Sequence, residues 1–103
     1  MDAALSLEQK AALVAGGGFW STVGVPEAGI PSVVLTDGPH GVRRQTGGDD
    51  HLGIGGSAPA TCFPPAAGIA SSWNPDLVER VGRALGEEAR AQGVGVLLGP
   101  GVN

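Results

Sequence analysis

Two short apolar, β-branched runs flank a long stretch of helical period, and that arrangement limits the chain to few folds. The first run is Val33-Val34-Leu35-Thr36, ended by Asp37-Gly38-Pro39. The second runs from Val94 to Leu98. A continuous apolar run closed by turn residues suits a strand buried on both faces. Between them, Asn74-Pro75-Asp76 has the form of a helix start. Asn is the cap, Pro takes the first helical position and an acid sits in the first turn. Leu77, Val78, Val81, Ala84, Leu85 and Ala89 then recur with helical spacing up to a stop at Gly93. Strand, helix crossover and strand make a βαβ unit with a parallel pair. One such unit buries too little surface to stand alone, so the pattern predicts part of a larger α/β sheet or barrel.

Before the first strand, Ser6 followed three residues later by Gln9 is a capping box. It predicts a helix over 7–15 with Leu7, Ala11 and Val14 on one face and a stop at Gly16-Gly17-Gly18. Phe19 to Gly29 reads as loop. The stretch 44–60, rich in Gly, Asp and Ser, reads as a mobile surface loop. Pro64-Pro65 leaves 61–72 unassigned. Gly82 and Gly86 weaken the long helix, and their spacing of four suits close approach of another backbone. Trp73, just before the cap, is expected to staple into the core. The chain stops at Gly99-Pro-Gly-Val-Asn103, directly after an apolar strand with no neighbour to follow it. A truncated domain is therefore expected.

Glycine (19) and proline (8) make up about a quarter of the 103 residues, but the glycines sit at the ends of apolar runs, where tight turns are needed. The net charge of −4, with the basic residues scattered, gives no footprint for nucleic acid. No apolar run approaches the length of a membrane span. The single cysteine, Cys62, excludes an internal disulfide, and no leader-like segment opens the sequence. Both suit a cytoplasmic location.

The sharpest chemical signal is Thr36-Asp37-Gly38-Pro39-His40-Gly41-Val42-Arg43. It places a carboxylate at the carboxyl end of a buried strand, where α/β folds build ligand sites. Arg43 is close enough in sequence to fold back onto Asp37. Two readings of the pair stand side by side. An ionised Asp beside an Arg accepts hydrogen bonds from hydroxyls, which is the chemistry for gripping a sugar. Equally, Asp37 caps a turn and Arg43 pairs with it structurally. Glu87-Glu88 point about 100° apart on a helix and read as a solvated face. Asp49-Asp50 read as solvating. Gly53-Ile-Gly-Gly-Ser-Ala58 fits a dinucleotide fingerprint, but no strand precedes it and no helix follows. His40, His51 and Cys62 match no zinc spacing, so no metal or other cofactor is expected.

The blocks Gly29-Ile-Pro-Ser-Val-Val-Leu-Thr-Asp-Gly-Pro-His-Gly-Val-Arg43, Ala60-Thr-Cys-Phe-Pro64, Ala70-Ser-Ser-Trp-Asn-Pro-Asp-Leu-Val78, Leu85-Gly-Glu-Glu-Ala-Arg90 and Leu97-Leu-Gly-Pro-Gly-Val-Asn103 occur in one order. Together they resemble the opening of glycoside hydrolase family 3, of the β-glucosidase type. The resemblance implies that residues 1–103 are the first part of a TIM-like (β/α)8 barrel, truncated after its second strand. The rest of the barrel and a C-terminal α/β sandwich domain would be its partners. It implies a retaining enzyme acting on terminal non-reducing β-D-glucosyl residues of a β-glucoside or oligosaccharide through a covalent intermediate. On that resemblance Asp37 and Arg43 lie in the −1 subsite and grip the sugar, and Trp20 is a candidate to line the pocket. The nucleophile and the acid/base lie outside this sequence, so no catalytic residue is expected here and the isolated chain is expected to be inactive. The competing readings are a non-catalytic carbohydrate-binding or interaction module and a nucleotide-binding α/β domain. The final strand disfavours the first and the misplaced glycine loop the second.

Overall fold

The computed structural model describes residues 5–47 and 54–101. Asp49, Asp50, His51, Gly53, Val102 and Asn103, which entered the sequence reading, lie outside the described residues.

Helix α1 spans Leu7–Ala15. Its start is the expected capping box: the Gln9 amide donates to Ser6 Oγ (3.2 Å) and the Ser6 amide donates to Gln9 Oε1 (2.8 Å). Backbone and Ser6 hydrogen bonds hold the Glu8 carboxyl below its ordinary value. Gly16 ends the helix at φ +81°. The apolar face meets no partner among the described residues, and Leu7 and Val14 are 78% and 88% exposed.

Strands β1 (Leu35–Asp37) and β2 (Val96–Leu98) pair in parallel, with Leu35 opposite Val96, Thr36 opposite Leu97 and Asp37 opposite Leu98. Helix α3 (Pro75–Ala91) is the crossover, so the predicted βαβ unit is present. Both strands are shorter than their apolar runs, for identifiable reasons. Val33 and Val34 pair on the other side: the Thr22 amide donates to Val33 O, the Leu35 amide to Trp20 O, and Ser21 bridges Val34 antiparallel. At the other end, the Val94 amide is spent closing α3 against Ala89 O. The segment 19–29 is therefore structured. Val25 bridges Ile30 around a 3₁₀ turn, Pro26–Ala28, and Gly29 takes φ +71° to close it.

Helix α3 begins as predicted, with Asn74 Oδ1 accepting from the Leu77 amide (3.0 Å), and Gly93 ends it at φ +71°. Its inward face carries Leu85 and Ala89 onto Val42 and Val94, with Val34, Phe63, Val81 and Leu97 packed around them. Gly82 and Gly86 meet nothing within 4 Å in the described chain, so no close backbone accompanies them here.

The segment left unassigned contains a short helix, α2 (Ala66–Ala70), starting directly after Pro65, where a proline removes no helical hydrogen bond. Trp73 is a correction to the sequence reading. It is 92% exposed and is no core staple. The turn leaving α2 sets this: the Ser72 and Trp73 amides donate to Ile69 O and Ala70 O, and Trp73 takes φ +50°. The indole therefore leaves the fold instead of entering it.

Candidate functional site

Asp37 is the last residue of β1 and is exposed where the strand ends. The chain reverses immediately after it. Gly38 takes φ +145°, and a Cβ there would overlap the Gly41 carbonyl oxygen and lie 2.9 Å from Val42 Cα. Only glycine fits this bend. The loop is then closed at its neck. The Arg43 amide donates to Asp37 O (3.0 Å), and the buried Thr36 hydroxyl donates to Arg43 O. Thr36 is 3% exposed, so its hydroxyl needs this partner. Sequence reasoning placed Thr36 in the motif without giving it a task; the task is to hold the neck.

The loop forms one wall of an open groove of about 520 Å³. The facing wall is Ser57, Ala58, Ala60, Thr61 and Cys62. The walls touch at the floor, where the Phe63 amide donates to His40 O (2.6 Å) and Gly41 lies against Thr61 O. Beyond β2, Gly99 abuts Pro39, so the end of the second strand lies beside the same loop.

The second wall is tethered to α3. Glu88 accepts from the Thr61 amide at 3.1 and 3.2 Å and from the Thr61 hydroxyl at 2.5 Å. Gln92 Nε2 donates to Pro59 O (3.3 Å). Glu88 is thus not part of a solvated face, as its sequence neighbourhood suggested, whereas Glu87 is exposed. The partner that corrects this reading lies 27 residues away and leaves no local signal.

Asp37 and Arg43 line the same groove, but they are joined through the main chain and not through their charged ends. The ion pair among the described residues is Arg83–Glu79 on the surface of α3. The hydrogen bond described between the two residues runs from the Arg43 amide to Asp37 O. The neck bonds fix the backbones of the two residues opposite each other.

Trp20 lies next door, in a second cavity of about 240 Å³ shared with Phe19, Arg44 and Gln45. Its indole N–H donates to Gln45 Oε1 (3.1 Å), and Phe19 meets it edge-on at 5.7 Å. Gln45 belongs to the stretch expected to be mobile. The ends of that stretch are paired instead: Gln45 bridges Ser57 antiparallel, the Thr46 amide donates to Gly56 O and the Ala58 amide to Arg44 O. His40 and Cys62 both face the groove and are exposed. No group of three or more potential metal ligands occurs among the described residues.

No protein-family model matches the chain. Individual proteins do. Over 99 residues it is 56% identical to a thermostable β-glucosidase B from Acetivibrio thermocellus, covering 96% of this chain and 13% of that protein. It is 52% identical over 100 residues to an exo-α-(1→6)-L-arabinopyranosidase from Bifidobacterium longum, with the same coverage. Among solved structures, a GH3 β-glucosidase from Bifidobacterium adolescentis superposes with a TM-score of 0.82 at 50% identity, over 97% of this chain and 13% of its own. β-Glucosidase 3B from Thermotoga neapolitana, in complex with glucose, gives 0.81 at 39% identity, over 96% of this chain and 16% of its own. The chain thus spans about an eighth of the length of these two curated relatives.

Proposed function

Since the chain belongs to glycoside hydrolase family 3, we propose that it is the opening part of a retaining β-glycosidase and supplies one sugar-gripping wall of its −1 subsite. The observation that carries this is the placement of Asp37. Its carboxylate stands at the carboxyl end of a parallel strand, on a loop locked at bend and neck, facing a groove that Arg43 also lines. A carboxylate in that position accepts from sugar hydroxyls, and a fixed backbone spares the cost of ordering it on binding. The parallel β1–α3–β2 unit supports a (β/α)8 barrel as the parent fold.

The chemistry itself needs more than this chain. Retaining hydrolysis takes two carboxyl groups about 5–5.5 Å apart. Among the described residues the groove is lined by one carboxylate, that of Asp37. The reading is therefore that the nucleophile and the acid/base come from the remainder of the polypeptide, and that residues 1–103 alone do not hydrolyse glycosides. Relatives named for β-glucosides and for α-(1→6)-L-arabinopyranosides are both compatible with this role. Both sugars are pyranosides that carry the glycosidic oxygen equatorially, so a wall that grips ring hydroxyls serves either.

The test is Asp37→Asn in the complete polypeptide. Sugar hydroxyl bonds tighten in the transition state, so kcat/KM for an aryl β-glucoside should fall about 10²-fold or more. Turnover at the wild-type rate would show that Asp37 serves the turn alone.

A further inference from the structure

We propose that Glu88 is a positioning residue of the sugar groove: by clamping Thr61 it sets how far the Ala60–Cys62 wall stands from Asp37. The proposal rests on the reading of the groove as a sugar site.

Three observations carry it. Glu88 sits in the last turn of α3, where the helix dipole disfavours a carboxylate. A carboxylate at that point calls for a compensating partner, and Glu88 has one. Both its oxygens accept from the Thr61 amide and one accepts from the Thr61 hydroxyl. Charge-assisted bonds of this kind are the strong ones. Second, Gln92 lies one helical turn further on and holds Pro59 O, so residues four apart on one helix face grip alternate residues of the wall. Third, the wall has little else to hold it. Ala60, Thr61 and Cys62 are all exposed, and the described hydrogen bond on its far side joins Phe63 to His40. The Asp37 wall, by contrast, is locked by bonds within the eight residues 36–43. Of the two walls, the one under Glu88 depends between its paired ends on contacts from α3, and a shift there changes the width in which a sugar ring must fit.

Glu88 touches no groove surface itself, so it acts through Thr61 and not on the sugar. The experiment uses the complete polypeptide and four variants: Glu88→Ala, Glu88→Gln, Thr61→Val and Asp37→Asn. For each, KM and kcat on an aryl β-glucoside are measured with the inhibition constant of glucose and the thermal midpoint. Glu88→Ala should raise KM and weaken glucose about tenfold, since small misplacements in a site carry costs of this order. Glu88→Gln keeps an oxygen for the Thr61 amide and should recover most of the loss. Thr61→Val removes the hydroxyl and should fall between them, so the proposal stands on folded variants even if Glu88→Ala does not fold. Unchanged KM and glucose inhibition in Glu88→Gln, Thr61→Val and any folded Glu88→Ala, beside a crippled Asp37→Asn, would overturn the role of Glu88 alone. A lower midpoint with unaltered glucose affinity would make the clamp merely structural and overturn it too. Wild-type behaviour of Asp37→Asn would instead remove the sugar site on which the proposal rests.

Discussion

Replacing Gly38 by alanine asks whether the bend after β1 exists to aim Asp37. The added methyl has two ways to be accommodated. If the bend keeps its shape, a non-glycine residue is held at φ +145° with its Cβ overlapping Gly41 O and 2.9 Å from Gly41 C and Val42 Cα. All three neighbours are backbone atoms, so none can rotate aside. Strain of this kind costs about 1–3 kcal/mol before the overlap is counted. If the bend opens, the Arg43–Asp37 and Thr36–Arg43 bonds are released, at about 0.5–1.5 kcal/mol each. The two routes cost about the same, and opening also relieves the overlap, so opening wins. The loss in stability should then be about 1–3 kcal/mol, small enough to leave a protein of ordinary stability folded.

The loss in function should be larger than that stability change explains. Once the neck opens, Asp37 is no longer held to the strand end, and misplacement of about 1 Å costs about 10²-fold in rate. Urea unfolding of the complete polypeptide measures the first quantity and kcat/KM on an aryl β-glucoside the second. Gly47→Ala is the control, because Gly47 is exposed and meets nothing within 4 Å. If Gly38→Ala turns over at the wild-type rate, the bend does not aim the carboxylate and the reasoning fails.

Two further changes test neighbouring parts of the argument. Thr36→Val keeps the shape of a 3% exposed side chain but strips the hydroxyl, leaving the Arg43 carbonyl without that donor; stability in urea should drop by about 1–3 kcal/mol, and no change would mean the neck is closed by the amide bond alone. Gly82→Ala removes a helix-weakening residue that meets nothing within 4 Å in the described chain, so the unfolding midpoint should rise by the equivalent of about 0.5–1 kcal/mol. A fall would reveal a backbone packed on that face of α3.

What the sequence disclosed divides by the range of the interaction responsible. The helix starts at Ser6 and Asn74 and the stop at Gly93 were legible because a cap joins residues at most a few positions apart. The parallel pair was legible from the order of the elements, but the strand limits were not. Val33 is apolar enough for the strand, yet its carbonyl accepts from the Thr22 amide, and Val34 is shared between Ser21 on one side and the Gly95 and Val96 amides on the other. Trp73 was misjudged because hydrophobicity argued for the core while the turn leaving α2 directed the backbone outward. Glu88 was misjudged for a related reason: an adjacent pair of acids on a helix resembles a solvated face until the distant Thr61 is known. Asp37 and Arg43 line one groove. The hydrogen bond described between them runs through the main chain, a detail that six residues of spacing cannot predict.

The two walls of the groove therefore differ in what determines them. The Asp37 wall is specified by its own sequence: glycine for the bend, threonine and an amide for the neck. The opposite wall is specified at a distance, by Glu88 and Gln92 reaching across from α3, whose other face packs Leu85 and Ala89 against the strands. A change in how α3 sits on the strands moves Glu88 and Gln92, and with them residues 59–61, and reaches the Asp37 loop through Val42. Variation in the core under α3 can thus alter the width of the groove. On the proposed reading of the groove as a sugar site, differences in sugar fit would arise in the packing of α3 as well as in the residues that line the groove.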